Sequence, residues 1–302
     1  MVWLVFCLCI TIASAVVISN NASLVCLGKD PNSGEVFQPC QLRTRLTPSF
    51  ADLCGAVWTP GMVYVNDSFT IQFSMQVSNI TGYCAEHQNV FRFCKSRGGH
   101  GLALIIQNDP NMKSLPTFIG QCGNGLGYTG INNSLALELD LWYDPELFDL
   151  YDNHVALQSM SNFSNSNDHR NSLAVSSDIA DLADGRVHTI KVYYEPRFDI
   201  NIISPENCTG THSCGRFQAN PVFASMLTTT YSSSLSMGLL WAFIDDLVRP
   251  IFITPVNLND LLSLNQGRAY VGISASTGHF QFQTHDIFNW TICTSSSCNQ
   301  FI

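Results

Sequence analysis

Residues 138–154, Glu-Leu-Asp-Leu-Trp-Tyr-Asp-Pro-Glu-Leu-Phe-Asp-Leu-Tyr-Asp-Asn-His, concentrate the coordinating chemistry of the chain. Glu138, Asp140 and Trp142 are two apart, so on a strand all three leave the same face. Asp144 follows, Pro145 turns the chain, Asp149 lies in the loop, and His154 precedes the apolar run Val155-Ala156-Leu157. Folded back as a hairpin, the segment gathers four carboxylates and an imidazole. Crowded carboxylates repel, and their pKa values climb unless cations neutralise them. Carboxylates with a backbone carbonyl suit Ca²⁺, and a histidine nitrogen added to carboxylates suits Mn²⁺ or another first-row ion. The competing interpretation is a solvated acidic hairpin with an ordinary histidine.

The elements that would position these groups read as strands. Phe69, Ile71, Phe73, Met75 and Val77 alternate with polar residues, the period of a strand with one face on a core. Leu102–Ile106, Leu135–Leu141, Val155–Gln158, Val187–Tyr194, Leu239–Ile244 and Tyr270–Ser274 are apolar runs bounded by Gly, Asn, Asp or Pro. Helical periodicity is confined to short turns near Leu258–Leu264 and Asp178–Ala183. Many short strands without intervening helices predict an all-β, antiparallel sandwich or barrel. Ser159–Ser172 and Arg197–Ser236 are polar or irregular enough to be surface excursions, the second an insertion at about residues 197–237 in a single domain.

Composition narrows the partners. The 302 residues are 46% apolar and only 12% charged, about half the usual share of charge, so a large core is expected rather than disorder. A net charge of −9, with no run of basic residues, argues against nucleic acid. Val2–Ile12 is an apolar run followed by Ala13-Ser14-Ala15, the pattern of a signal peptide over residues 1–15. Cleavage there removes Cys7 and Cys9 and leaves ten of twelve cysteines, an even number suited to disulfides. Cys84 with Cys94, and Cys208 with Cys214, are candidate local pairs. Seven Asn-x-Ser/Thr sequons, at Asn21, Asn66, Asn79, Asn132, Asn162, Asn207 and Asn289, fit a secreted, extracellular protein. Met237–Thr254 is apolar but broken by Asp245, Asp246 and Arg249, so it reads as two core strands and not as a membrane span.

Six stretches, in order, give the chain a resemblance. They are Arg45–Ser49 (RLTPS), Gly98–Asp109 (GGHGLALIIQND), Gly123–Leu147 (GNGLGYTGINNSLALELDLWYDPEL), Asp184–Tyr194 (DGRVHTIKVYY), the pair Asp245-Asp246, and Gly267–Trp290 (GRAYVGISASTGHFQFQTHDIFNW). In this order they resemble the L-type, legume-lectin-like lectins, particularly the non-plant secreted branch. That likeness implies a concanavalin A-like jelly roll whose curved front face carries the site, with glycans or glycoproteins as partners and homo-oligomers allowed. It further implies that Glu138, Asp140, Asp149 and His154 hold a Mn²⁺-type ion. Asp140 and Asp149 would be shared with Ca²⁺, which also takes the Trp142 carbonyl and the Asp144 side chain.

Two positions depart from the pattern. Asp144 stands where the family usually has Asn, and it lacks the NH₂ that would donate to a sugar hydroxyl. His100 stands where the family's sugar-binding Asp follows a cis peptide; imidazole offers one acceptor and one donor where a carboxylate accepts twice. His100 either fills the site or makes a pH-sensitive contact. The resemblance gives further carbohydrate contacts to Trp142, as a ring for stacking or a core residue, to Gly123 or Gly125, and to the loop Gly278-His279-Phe280. Glucanases on a related fold carry E-x-D-x-x-E; here Glu138 and Asp140 begin it, but Tyr143 replaces the last acid. With no nucleophile elbow, HExxH or phosphate loop, the chain reads as a binding protein and not an enzyme. The alternative to a lectin is a lectin-fold protein whose metal site is structural and which acts in protein–protein interaction or adhesion.

Overall fold

Side chains that alternate between an apolar core and a more open face determine the architecture. The computed structural model describes residues 16–29, 34, 36–81, 83–87, 91–95, 98–111, 118–149, 151–196 and 238–301. The expected signal peptide, the insertion with Cys208, Cys214 and Asn207, and Leu150 lie outside them. Numbered along the chain, the front sheet runs from edge to edge as β1 (Val17–Asn20), β4 (Cys54–Trp58), β16 (Arg268–Thr277), β9 (His100–Gln107), β10 (Ser134–Asp140), β11 (His154–Gln158) and β12 (Ser172–Ser176). The short β5 (Val63–Tyr64) pairs with β16. The back sheet runs β15 (Phe252–Val256), β14 (Gly238–Ile244), β13 (Val187–Glu195), β6 (Phe69–Ser78), β17 (Thr284–Thr294), β3 (Val36–Thr47) and β2 (Ser23–Lys29), with β18 (Cys298–Phe301) beside β17. A separate hairpin joins β7 (Tyr83–His87) to β8 (Phe91–Lys95), and its register sets Cys84 opposite Cys94.

The core lies between the sheets. Phe69, Ile71, Phe73, Met75 and Val77 on β6 face Leu102, Leu104 and Ile106 on β9 and Leu135, Leu137 and Leu139 on β10 within one buried cluster. The opposite face of the front sheet is buried as well. Ala56, Trp58, Ala103, Ile105 and Ala136 pack under Leu126, Tyr128 and Ile131 of the loop that precedes β10. That second layer brings a glycine-containing loop over the front face, and a disulfide between Cys54 and Cys122 ties its start to β4. Cys26–Cys40 and Cys293–Cys298 are also disulfides.

Each apolar run expected to be a strand is one, and Met237–Thr254 divides into β14 and β15 around Asp245 and Asp246. Helix α1 (Leu258–Leu262) falls within the expected turn and is capped by Asn257, whose side chain accepts from the Asp260 N–H at 3.3 Å. Asp178–Ala183 is not helical. The Asn153 side chain takes over its backbone, donating to the Ala180 carbonyl at 2.9 Å and accepting from the Leu182 N–H at 3.0 Å. These bonds displace the i to i−4 pattern and fasten the segment to the end of the acidic hairpin.

Candidate metal and carbohydrate site

The period-two pattern on β10 sends Leu135, Leu137 and Leu139 inward and Glu138 and Asp140 to the other face. That face is covered, so both carboxylates are buried, at 2% and 4% exposure. In the antiparallel register Asp140 lies opposite His154 of β11, and such cross-strand pairs share a face. The strand ends at Asp140, before Trp142. Pro145 starts a single 3₁₀ turn, Pro145–Leu147, that reverses the chain. The buried Asp149 carboxylate closes it by accepting from the Asp144 N–H at 2.7 Å.

Three carboxylates are thus buried within reach of one another's charge, with few donors. Glu138 accepts from the Gln158 amide at 3.1 Å and Asp140 from the Trp142 N–H at 2.8 Å. Burial, together with the neighbouring negative charges, pushes Glu138 up to about 8, raises Asp140 well above the ordinary carboxylate range, and lifts Asp149 to about 6. Burial and the charges of Glu138 and Asp140 also raise the Tyr128 phenol.

His154 is held as metal-binding histidines commonly are. Its Nδ1 lies 2.7 Å from the Tyr151 carbonyl, which can only accept, so Nδ1 carries the proton and Nε2 presents a lone pair. That Nε2 is buried with no hydrogen-bond partner, and burial lowers the His154 pKa, favouring the neutral ring. The orphaned Nε2 and the crowded carboxylates fit a cation. Sequence reasoning missed one neighbour. His169, on the turn before β12, places a ring nitrogen within 4.8 Å of ligand atoms of Asp149 and His154. It stands fifteen residues beyond His154 in a polar excursion without periodicity, so no local pattern marked it.

Above the carboxylates, the end of β9 forms a second cluster. The Gly99–His100 peptide is cis, and the His100 carbonyl accepts from the Leu141 N–H at 2.8 Å. Gly101 has φ +148°, and a side chain there would collide with the Leu139 carbonyl, so this glycine lets β9 approach β10. His100 Nδ1 lies 3.4 Å from Asp144 Oδ2, close but without a hydrogen bond. The two residues that depart from the family pattern therefore face each other, and the carboxylate expected at 100 is found across the cleft at 144.

Two glycines flank the His100 ring. A methyl group added at Gly278 would lie 3.2 Å from Nε2, and one at Gly123 would lie 4.0 Å away. Gly125 instead abuts Gln121 and Thr129 within its own loop. Trp142 is half-buried with its indole against Gly99. His279 turns to Asp52, with Nδ1 at 2.6 Å from Oδ2, and Phe280 is exposed at the rim with its ring edge-on to His279. The structure thus gathers His100, Gly123, Asp144 and Gly278, sets Trp142 beside them, and points Gly125 elsewhere. Of the described sequons, Asn21, Asn66, Asn79, Asn162 and Asn289 are exposed. Asn132 is engaged by Asp109 and Ser164, at 3.1 and 2.8 Å.

Two large antiparallel sheets, with this cleft at one end of the front sheet, make the fold that of the L-type lectins, and the structural neighbours are legume lectins and L-type carbohydrate-recognition domains. Lectin I-B4 from Griffonia simplicifolia, in its metal-free form, superposes with a TM-score of 0.54 at 16% identity, covering 94% of this chain and 93% of that one. The Bauhinia forficata lectin in complex with GalNAc gives 0.52 at 15% identity, covering 93% of each chain. The exoplasmic/lumenal domain of VIP36 in a Ca²⁺-bound form gives 0.51 at 13% identity, covering 95% and 89%. No protein-family model and no curated protein sequence matches the chain. Among the described residues no helix is long and apolar enough to cross a membrane.

Proposed function

We propose that this protein is a secreted, metal-dependent lectin that recognises glycans at a site organised by Ca²⁺ and a transition-metal ion, with altered sugar contacts. The observation that carries the reading is His154 Nε2, a buried lone pair without a partner among three buried carboxylates. Glu138, Asp140, Asp149 and His154 would hold the transition-metal ion; Asp140, Asp149, Asp144 and the Trp142 carbonyl would hold Ca²⁺. Bound cations neutralise the cluster and fix the loop that carries Trp142 and Asp144. His100, Gly123, Trp142, Asp144 and the Gly278–Phe280 loop would then contact sugar. The VIP36 domain with bound Ca²⁺ and the Bauhinia lectin with bound GalNAc, both similar in fold, support this reading. The chain supplies no acid–nucleophile pair on β10, so binding without catalysis is proposed.

A second reading rests on the His100–Asp144 contact. If this pair occupies the cleft in place of a sugar, the metal hairpin serves only to stabilise a surface for protein–protein interaction or adhesion. A glycan array with and without Ca²⁺ separates the two. The lectin reading expects binding that is lost when Ca²⁺ is removed; silence across mannose-type and galactose-type glycans supports the second.

A further inference from the structure

We propose that His169 is a ligand of the transition-metal ion, so that this site offers two imidazoles and prefers Zn²⁺. The inference rests on the metal-binding reading above and goes beyond its ligand set. His169 opens the 3₁₀ turn His169–Asn171, which Asp168 fixes by accepting from the Arg170 N–H at 3.0 Å. The turn directs the ring at the end of β11, where it meets His154 edge-on, with centroids 5.1 Å apart and planes at 79°. Both ring nitrogens of His169 are buried and, like Nε2 of His154, have no hydrogen-bond partner. An edge contact between two rings leaves all three nitrogens unmet, whereas one cation between the rings satisfies the pair that faces it.

The geometry is close to what such an ion requires. Ligand atoms of Asp149, His154 and His169 lie within 4.8 Å of one another. A tetrahedral Zn²⁺ with bonds of about 2.0–2.1 Å to nitrogen draws its ligand atoms to roughly 3.4 Å apart. The required contraction would fall on the half-buried turn at 169–171, which lies outside the strand pairings that hold β10 and β11. Either Glu138 or Asp140, both on the adjacent strand, would supply the fourth ligand. Replacing an oxygen or water ligand with imidazole moves the donor set away from Mn²⁺, which favours carboxylate and water, towards Zn²⁺.

The test uses the metal-stripped full chain, its His169→Ala and His169→Gln variants, and Zn²⁺, Mn²⁺ and Co²⁺ as probes. Chelator competition is expected to show Zn²⁺ affinity falling at least about tenfold in both variants and Mn²⁺ affinity falling less, since loss of even an outer-shell partner of a ligand costs about 10–100-fold. The visible spectrum of the Co²⁺ protein should change in the same variants. A measurement on the unmodified chain guards against variants that misfold: proton NMR of the Co²⁺ form should show two hyperfine-shifted, exchangeable imidazole N–H signals. One such signal, or variants with unchanged Zn²⁺ affinity and an unchanged Co²⁺ spectrum, overturns the role of His169 while leaving the metal site intact. A wild-type protein that takes up no Zn²⁺, Mn²⁺ or Co²⁺ overturns both.

Discussion

Asp286 on β17 and the Glu138–Asp140–Asp149 cluster at the end of β10 are both buried acidic sites, one in each sheet, with different counter-charges. Asp286 is 1% exposed and receives Arg45 through Nε at 2.8 Å and Nη2 at 2.9 Å, with Arg43 Nη1 at 3.3 Å. Its hydrogen bonds raise the Arg45 pKa, and the Arg43 guanidinium also lies over the Phe288 ring. The hairpin carboxylates receive one amide and two backbone N–H groups, and among the described residues no Lys or Arg pairs with them. At Asp286 the chain itself supplies the counter-charge, as arginine. At the hairpin no such counter-charge is found among the described residues, and the proposed metal ions would supply it.

Removing one member from each site should therefore give opposite signs. Asp286→Ala strands Arg43 and Arg45 beside a dry core and should cost about 3–5 kcal/mol with or without metal, measured by chemical denaturation. Asp140→Asn keeps the acceptor for the Trp142 N–H and removes a repelling charge. It should leave the metal-free protein as stable as wild type or slightly more so, and should abolish stabilisation by Ca²⁺. If Asp140→Asn destabilises the metal-free chain as much as Asp286→Ala does, the two sites are not different in kind.

Acidity sharpens the same contrast. Glu138, raised from 4.5 to about 8, and Asp149, raised from 3.8 to about 6, hold protons in the folded metal-free state that the unfolded chain has already released. Their contribution to stability is present below about pH 4 and is lost as pH rises to about 8. Bound cations favour the ionised forms, so the gap in Tm between protein loaded with both ions and metal-free protein should widen from pH 5 to pH 8. His285, buried on β17 and lowered from 6.5 to about 3, acts in the opposite direction: stability is lost as pH falls below about 6.5. It is present in both forms and cancels in the difference. A gap independent of pH would contradict the carboxylate origin of the effect.

The smallest expected change concerns the crest. The double variant His100→Asp with Asp144→Asn moves the carboxylate across the 3.4 Å contact, to the arrangement that the resemblance to L-type lectins implies. On a glycan array it should strengthen or redirect Ca²⁺-dependent binding by about tenfold, the scale of one recovered charge-assisted hydrogen bond. An unchanged profile would remove these two residues from the sugar site.

Local patterns revealed those parts of the fold that depend on local periodicity. Period-two alternation marked β6 and β10, and the spacing of Glu138, Asp140, Asp149 and His154 anticipated the hairpin. Long-range pairings were harder to read. β4 is buried at every position and shows no alternation, so Cys54–Trp58 did not stand out as a strand. The non-helical Asp178–Ala183 depends on Asn153, about thirty residues earlier in the chain. His100 meets Asp144, and His169 approaches His154, only because the sheet register and an irregular turn bring separate segments together. Gly123 differs from Gly125 only in which way a side chain would point, a distinction made by the loop packed over Trp58 and Ile105.

The central claim is that the acidic hairpin is completed by metal. It is tested most directly by the melting temperature of the purified chain after EDTA treatment, before and after Ca²⁺ is restored at neutral pH. At a hundredfold excess over Kd, binding adds about 2.7 kcal/mol, a shift of roughly 5 °C for a domain of this size. The expected result is a fall in Tm with EDTA, recovery of part of it with Ca²⁺ and of the remainder when the transition-metal ion is restored as well; superimposable melting curves would contradict the metal site.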